Sequence, residues 1–251
     1  MNLLFSVLIV YKQLNSKIVY KILGRLNMHN IFYTFTTMDD GNLAYHVLDR
    51  KENVDNNRKK LASKYDFDNN HLFYMNQVHG NNVEVITKDS PNLIDNCDGI
   101  ITNEKNLTLM VMVADCIPII FFDKIKGVIA AVHAGRNSTF QGIVEVTAKK
   151  MINEFECEAK DIEIIFGPSI QKCCYEVNEE LVQIVKKSFG EEFVNNRLID
   201  LQCINKMLLN KLGIFNITIS NTCTKCSNEA YYSYRLNKKC GRFSGIVTIK
   251  Q

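Results

Sequence analysis

Leu107-Thr108-Leu109-Met110-Val111-Met112-Val113-Ala114-Asp115-Cys116-Ile117-Pro118-Ile119-Ile120-Phe121-Phe122 is the stretch on which the fold turns. Two apolar runs, Leu107–Val113 and Ile117–Phe122, flank a short polar interruption. Both are continuous rather than alternating, which reads as strands covered on both faces. Val128–Val132 repeats the pattern. Further short runs lie outward of it: Leu72–Met75 and Val83–Ile86 on one side, Ile162–Phe166, Ile217–Ile219 and Phe243–Ile249 on the other. Ile31-Phe32-Tyr33-Thr34-Phe35 is also strand-like.

Helical periodicity separates these runs. Phe140, Val144, Thr147, Met151 and Phe155 make one stripe, and Leu181, Ile184, Val185 and Ser188 another. Asn178 suits the N-cap of the second, Glu179 and Glu180 its first turn, and Gly190 its stop. Leu201, Ile204, Leu208 and Leu212 form a third stripe closed by Gly213. Val54 to Tyr65 is a more polar helix. The order of about eight strands and four helices is not a strict alternation. It favours an α+β fold, mixed β-sheets flanked by helices, over a doubly wound parallel sheet.

A length of 251 residues fits one large domain or two small ones, and no Pro/Gly/Ser linker divides the chain, so a single domain is expected. With 46% apolar and 23% charged residues, and only 3 Pro and 12 Gly, disorder and collagen are excluded. The net charge of +3 is small and its basic residues are scattered, so no nucleic-acid partner is expected. Five His are few for an oxidase built on several histidine-rich copper centres. Nine Cys show no small-domain disulfide framework, which points to free thiols in a reducing cytoplasm. Leu3 to Tyr11 is apolar apart from Ser6, but far short of the ~20 residues that span a bilayer. No basic residue precedes it and no small-residue cleavage site clearly follows, so neither a membrane anchor nor a signal peptide is expected. Translation is expected to start at Met28, leaving residues 1–27 as an extension outside the fold.

Three segments share a form. Asn76-Gln77-Val78-His79-Gly80 lies between two strands, Val113-Ala114-Asp115-Cys116-Ile117-Pro118 joins two apolar runs, and Ala131-Val132-His133-Ala134-Gly135 ends a strand. Each sets one metal-ligand type at a strand end. Two imidazoles and a thiolate with a fourth position open is a catalytic zinc arrangement. Taken singly, Cys116 also reads as a buried small hydrophobe, His133 as a core histidine and His79 as a turn residue. The three lie too far apart along the chain to form a short zinc signature.

Gln77-Val78-His79-Gly80, Ala114-Asp115-Cys116-Ile117-Pro118, Val132-His133-Ala134-Gly135, Gly167-Pro168-Ser169-Ile170, Cys174-Tyr175-Glu176-Val177 and Ser233-Tyr234-Arg235 occur in this order. Together they resemble the YfiH-like family, also called laccase-domain or polyphenol oxidase family proteins, many of which are described as purine nucleoside phosphorylases. The resemblance covers roughly residues 30–250 and implies a single α+β domain over 28–251. It implies zinc held by His79, Cys116 and His133, the same three residues being catalytic. It further implies phosphorolysis of adenosine, inosine, guanosine and methylthioadenosine with inorganic phosphate, and deamination of adenosine. Copper can enter such a site by substitution.

Around that resemblance the residues keep their own readings. Asp115 either orients a ligand or accepts a proton, or is a turn carboxylate. Arg136 and Arg235 are candidate substrate-binding cations, able to hold phosphate bidentately; Arg58 is a further candidate oxyanion or phosphate partner, for which a solvated helix face is the preferred reading. After His-Ala-Gly the family's usual continuation is Trp-Arg-Gly, whereas here it is Arg136-Asn137-Ser138 in a protein with no Trp. The family's early Thr-Arg-x-Gly-Gly element is replaced by Thr36-Thr37-Met38-Asp39-Asp40-Gly41. Cys223-Thr224-Lys225-Cys226 has metal-ligand spacing, with Cys240 as a possible third ligand and no evident fourth, so reduced structural thiols are expected there. Cys173-Cys174 is read as packing. Rival functions are a metal-free Cys–His hydrolase with Cys116 as nucleophile, a peptidoglycan precursor editing role, copper polyphenol oxidation, and a non-enzymatic metal-binding module. The oligomeric state is open.

Overall fold

The computed structural model of the chain describes residues 28–227 and 231–250, so the expected extension over 1–27 lies outside the described residues. Among the described residues the strands are β1 (Asn30–Phe35), β2 (Leu72–Met75), β3 (Val83–Val85), β4 (Leu93–Ile94), β5 (Gly99–Thr102), β6 (Thr108–Val113), β7 (Ile117–Asp123), β8 (Val128–Ala134), β9 (Glu163–Phe166), β10 (Val194–Asn195), β11 (Leu198–Ile199), β12 (Ile217–Ile219) and β13 (Phe243–Lys250). The α-helices are α1 (Lys51–Tyr65), α2 (Arg136–Phe140), α3 (Ile143–Phe155), α4 (Glu179–Ser188) and α5 (Leu201–Asn210). A five-stranded sheet runs β1-β13-β6-β2-β4 and a six-stranded sheet runs β12-β9-β7-β8-β5-β3. Both mix parallel and antiparallel pairs. This is the expected α+β architecture.

Successive strand residues point to opposite faces, and that explains the unbroken apolar runs. Leu109, Val111 and Val113 of β6 pack with Ile120 and Phe122 of β7 and Ile129 and Ala131 of β8 in a core between the two sheets. The alternate residues Met110 and Met112 meet Leu43, Leu61 of α1 and Leu72 on the far side of the five-stranded sheet. Ile117, Ile119 and Phe121 face the other way, onto Val144, Ala148 and Met151 of α3 and Ile204 and Leu208 of α5. Phe121 is fully buried there. Phe121→Ala is expected to cost about 3–5 kcal/mol of unfolding free energy by leaving a cavity. Denaturant titration reads it, and a loss under about 1 kcal/mol would show that the layer refills.

Several elements differ from the sequence expectation. The stripe from Phe140 to Phe155 is two helices, because Gly142 adopts φ 73° and stops the first turn before α3 begins. β4, β5, β10 and β11 carry no extended apolar run and were not expected. α5 ends before Leu212, and Asp200 caps its start by accepting from the Cys203 N–H. Asn178 caps α4 as expected, accepting from the Leu181 N–H.

Arg58 is a correction. It is 3% exposed, not solvated. Its Nε and Nη2 donate to the Leu43 carbonyl at 3.0 and 2.7 Å, and its guanidinium lies 4.3 and 4.0 Å from the rings of Tyr45 and Tyr74. A planar, weakly hydrated cation can be buried between aromatic faces where an ammonium cannot. It fastens α1 to the sheet and has no part in the site below. No helix among the described residues is long and apolar enough to cross a membrane.

Candidate functional site

The crossing from β6 to β7 passes from one sheet to the other. Ala114-Asp115-Cys116 makes that crossing in a tight turn, with Asp115 at φ 90°. β8 runs antiparallel to β7 and sets His133 opposite Pro118. β5 pairs with the other side of β8, Gly99 opposite Val132, and so delivers Asp98 beside His133. The loop after β2 is pinned to the end of β6 by Gln77, whose Nε2 donates to the Met112 carbonyl while its Oε1 accepts from the Met112 N–H. His79 follows at φ 61°, a conformation uncommon outside glycine and asparagine that persists where surrounding bonds hold it.

Asp98 supplies those bonds. It is fully buried and accepts the N–H groups of Val78, His79 and Gly80 at 3.2, 3.0 and 2.7 Å. Its Oδ1 also accepts from Nδ1 of His133 at 2.7 Å. That bond leaves Nε2 of His133 for the ligand side. Burial opposes the Asp98 charge, yet His133 and the donated N–H groups hold its carboxyl below the usual range. Sequence reading missed Asp98: nothing in Cys97-Asp98-Gly99 marks it, and only the pairing of β5 with β8 gives it a role.

The result is convergence. Ligand atoms of His79, Cys116 and His133 lie within 4.8 Å of one another. Nε2 of His79 is 3.9 Å from the Cys116 sulfur, and the two imidazole rings meet edge to face with centroids 4.7 Å apart. Gly135 permits it. A Cβ there would stand 2.8 Å from Cδ2 of His79 and 3.1 Å from the Cys116 sulfur. Two nitrogens, one sulfur and a carboxylate behind one of the imidazoles form a donor set that fits a divalent metal ion.

Without metal Cys116 and His133 polarise each other. Burial pushes the Cys116 thiol up, but the positive charge of His133 and hydrogen bonds from His133 and His79 outweigh it and bring it down to about 6. Burial likewise pulls His133 down, while the Cys116 thiolate and Asp98 raise it to about 9. Metal-stripped protein should therefore alkylate at Cys116 with iodoacetamide along a curve whose midpoint lies near pH 6, well below that of an ordinary thiol. The thiolate is present above that midpoint and lost below it. Peptide mass mapping of the modified cysteine checks this, and a midpoint above about pH 8 would refute the pairing.

The cluster opens on a cavity of about 580 Å³, within the range of small-molecule sites. Asp115, Arg136 and Arg235 line it together with His79, Cys116 and His133, whereas Arg58 does not. Asp115 is nearly buried, and both its oxygens are engaged: Oδ1 accepts from the Thr224 hydroxyl at 2.7 Å and Oδ2 from the Arg235 N–H at 2.6 Å. It ties the turn carrying Cys116 to the loop carrying Arg235. The Arg235 guanidinium donates to the Glu176 carbonyl and lies 5.0 Å from the Tyr175 ring. Arg136, the first residue of α2, is exposed at the rim. His46 and Arg242 also line the cavity and were not anticipated. Burial, Arg242 and His133 hold His46 below the ordinary imidazole range. Cys240 lies beside Arg242 and is not grouped with Cys223 and Cys226; those two gather with Cys173 and Cys174 instead.

A family model described as multi-copper polyphenol oxidoreductase laccase matches residues 33–250. A Mycobacterium tuberculosis protein named purine nucleoside phosphorylase is 31% identical over 213 residues, covering 83% of this chain and 84% of that one. A Clostridium acetobutylicum protein of the same name is 36% identical over 181 residues, covering 69% of this chain and 75% of its own. The crystal structure of YlmD from Geobacillus stearothermophilus superposes with a TM-score of 0.82 at 26% identity, covering 88% of this chain and 92% of that chain.

Proposed function

The chain belongs to the multi-copper polyphenol oxidoreductase laccase family, and on that footing we propose that it is a zinc-dependent purine nucleoside phosphorylase. Its substrates on this reading are adenosine, inosine, guanosine and methylthioadenosine, with inorganic phosphate as co-substrate. Deamination of adenosine is a second reaction assigned to the same cavity. The observation that carries the reading is the meeting of His79, Cys116 and His133 at the end of a cavity that Arg136 and Arg235 also line. The names of the similar proteins support it.

Zinc held by His79, Cys116 and His133 would supply Lewis acidity to a bound oxygen or nitrogen of the substrate. The chain's own groups do the remaining work. Asp98 fixes the tautomer and direction of His133. Arg136 and Arg235 hold phosphate through charge-assisted hydrogen bonds. Asp115 anchors the Arg235 backbone and thereby sets where that guanidinium stands relative to Cys116. Phosphorolysis then needs a phosphate oxygen aligned on C1′ of the ribose, with the purine leaving as the C1′–N9 bond breaks; alignment of this kind is worth several powers of ten in rate. Polyphenol oxidation is disfavoured by the donors. Among the described residues, one converging group contains imidazoles and it has two; reduction of oxygen at several copper centres needs more.

One observation favours a second reading. Asp98, His133 and Cys116 stand in the order carboxylate, imidazole, thiol, as in a metal-free cysteine hydrolase. The placing of His79 against the same sulfur favours metal, since a hydrolase needs one imidazole at its nucleophile. Metal analysis and nucleoside assays, each with and without phosphate and with and without chelator, separate the two. Phosphate-dependent release of free purine that chelation abolishes supports the phosphorylase. Zinc bound with no turnover of any purine nucleoside would sink it, and hydrolysis that survives chelation would favour the thiol mechanism.

A further inference from the structure

A second cluster lies behind the Arg235 side of the cavity. Cys173 and Cys174 sit in the turn after β9, and Cys223 and Cys226 in the turn after β12. Their four sulfurs lie within 4.8 Å of one another, and those of Cys173 and Cys226 are 3.5 Å apart. Four thiolates around a tetrahedral zinc, each at about 2.3 Å, stand roughly 3.8 Å from one another, so the observed spacing needs only small adjustment.

Packing does not account for the cluster. Free cysteines are ordinarily among the most buried side chains, yet Cys173 and Cys226 are exposed. The backbone is arranged around the sulfurs instead. A parallel bridge joins Ser169 to Cys223, with the Ser169 N–H donating to the Thr222 carbonyl and the Thr224 N–H to the Ser169 carbonyl.

We propose that Cys173, Cys174, Cys223 and Cys226 form a second metal site, a closed four-thiolate zinc centre distinct from that of His79, Cys116 and His133. With four protein ligands it has no open position, so its role is structural. It clasps the turn after β9 to the turn after β12. Those turns carry Tyr175 and Glu176, which support Arg235, and Thr224, which holds Asp115. The clasp thus fixes the cavity wall that presents Arg235.

The test starts from the His79→Ala/Cys116→Ala double variant, which lacks the first centre. Purified without chelator, it should retain one tightly held zinc per chain, and cobalt exchanged into it should give the intense thiolate-to-cobalt absorption of a four-sulfur site. A double variant holding no metal, or a cobalt spectrum without that absorption, overturns the proposal. In the otherwise unaltered chain, Cys226→Ser should lower the zinc content by one equivalent and leave the first centre filled. Should that variant fail to fold, thiol counting on the unaltered protein decides: the four cysteines should resist a thiol reagent until a chelator is added. A native mass that rises by two hydrogens on reduction, with the bond mapped by peptide digestion to Cys173 and Cys226, would also overturn the proposal. The zinc count of the double variant does not depend on turnover, so it stands or falls separately from the phosphorylase reading.

Discussion

Cys116→Ala is expected to remove both the metal of the first centre and nucleoside turnover while leaving the fold intact. Cys116 sits in the crossing turn at the edge of the cavity, only partly buried, and its sulfur is the one anionic donor of the cluster. Alanine leaves only the two imidazoles, which bind zinc far more weakly than the full set. The loss of Lewis acidity removes several kcal/mol of transition-state stabilisation, on the order of a thousandfold in kcat/KM. Circular dichroism and thermal melting should stay close to those of the parent. Turnover retained within about tenfold after the metal of this centre is gone would refute a metal-dependent mechanism.

Asp98→Asn is expected to have the next largest effect, although Asp98 touches no substrate. The carboxylate receives three backbone N–H groups and the His133 Nδ1–H with no residual donor of its own. An amide of the same shape brings an NH₂ into a ring of donors. At least one N–H then loses its acceptor in a fully buried place, which costs about 1–3 kcal/mol. The released His133 can turn or change tautomer, and loss of such a partner typically lowers metal affinity about 10–100-fold. Metal titration of the variant against a competing chelator measures this. A residue of purely structural role would lower stability without moving the metal affinity, so an unchanged affinity would refute the orienting role of Asp98. Rate and affinity should fall together, and excess metal should restore much of the rate, since the three ligands themselves remain.

Much of the architecture is local in origin. β6, β7 and β8 are legible because each is an unbroken apolar run, and a strand covered on both faces has no need of a polar side. Asn178 and its following glutamates mark the start of α4 for an equally local reason, since a cap acts on the N–H groups of its own helix. β5 was not legible: four residues beginning with glycine become a strand only because β8 and β3 lie on either side. The same holds for the break between α2 and α3, where a continuous stripe of apolar residues hides a glycine in the left-handed conformation. Arg58 went astray for a related reason. Helical spacing gives the face a residue lies on, but not that Tyr45 and Tyr74 close over it.

The amino-acid sequence by itself determined the strand and helix layers, singled out His79, Cys116 and His133 as candidate ligands, and through six ordered motifs marked the family. Only the tertiary structure decided that those ligands meet, that Asp98 stands behind them, that Asp115 spends both oxygens on a neighbouring loop, and that Cys173 and Cys174 rather than Cys240 join Cys223 and Cys226. Strand formation follows from the burial pattern of a few consecutive residues. The meeting of side chains from separate strands depends on sheet register, on a left-handed backbone at His79 and Asp115, and on the missing Cβ of Gly135, none of which a linear spacing encodes.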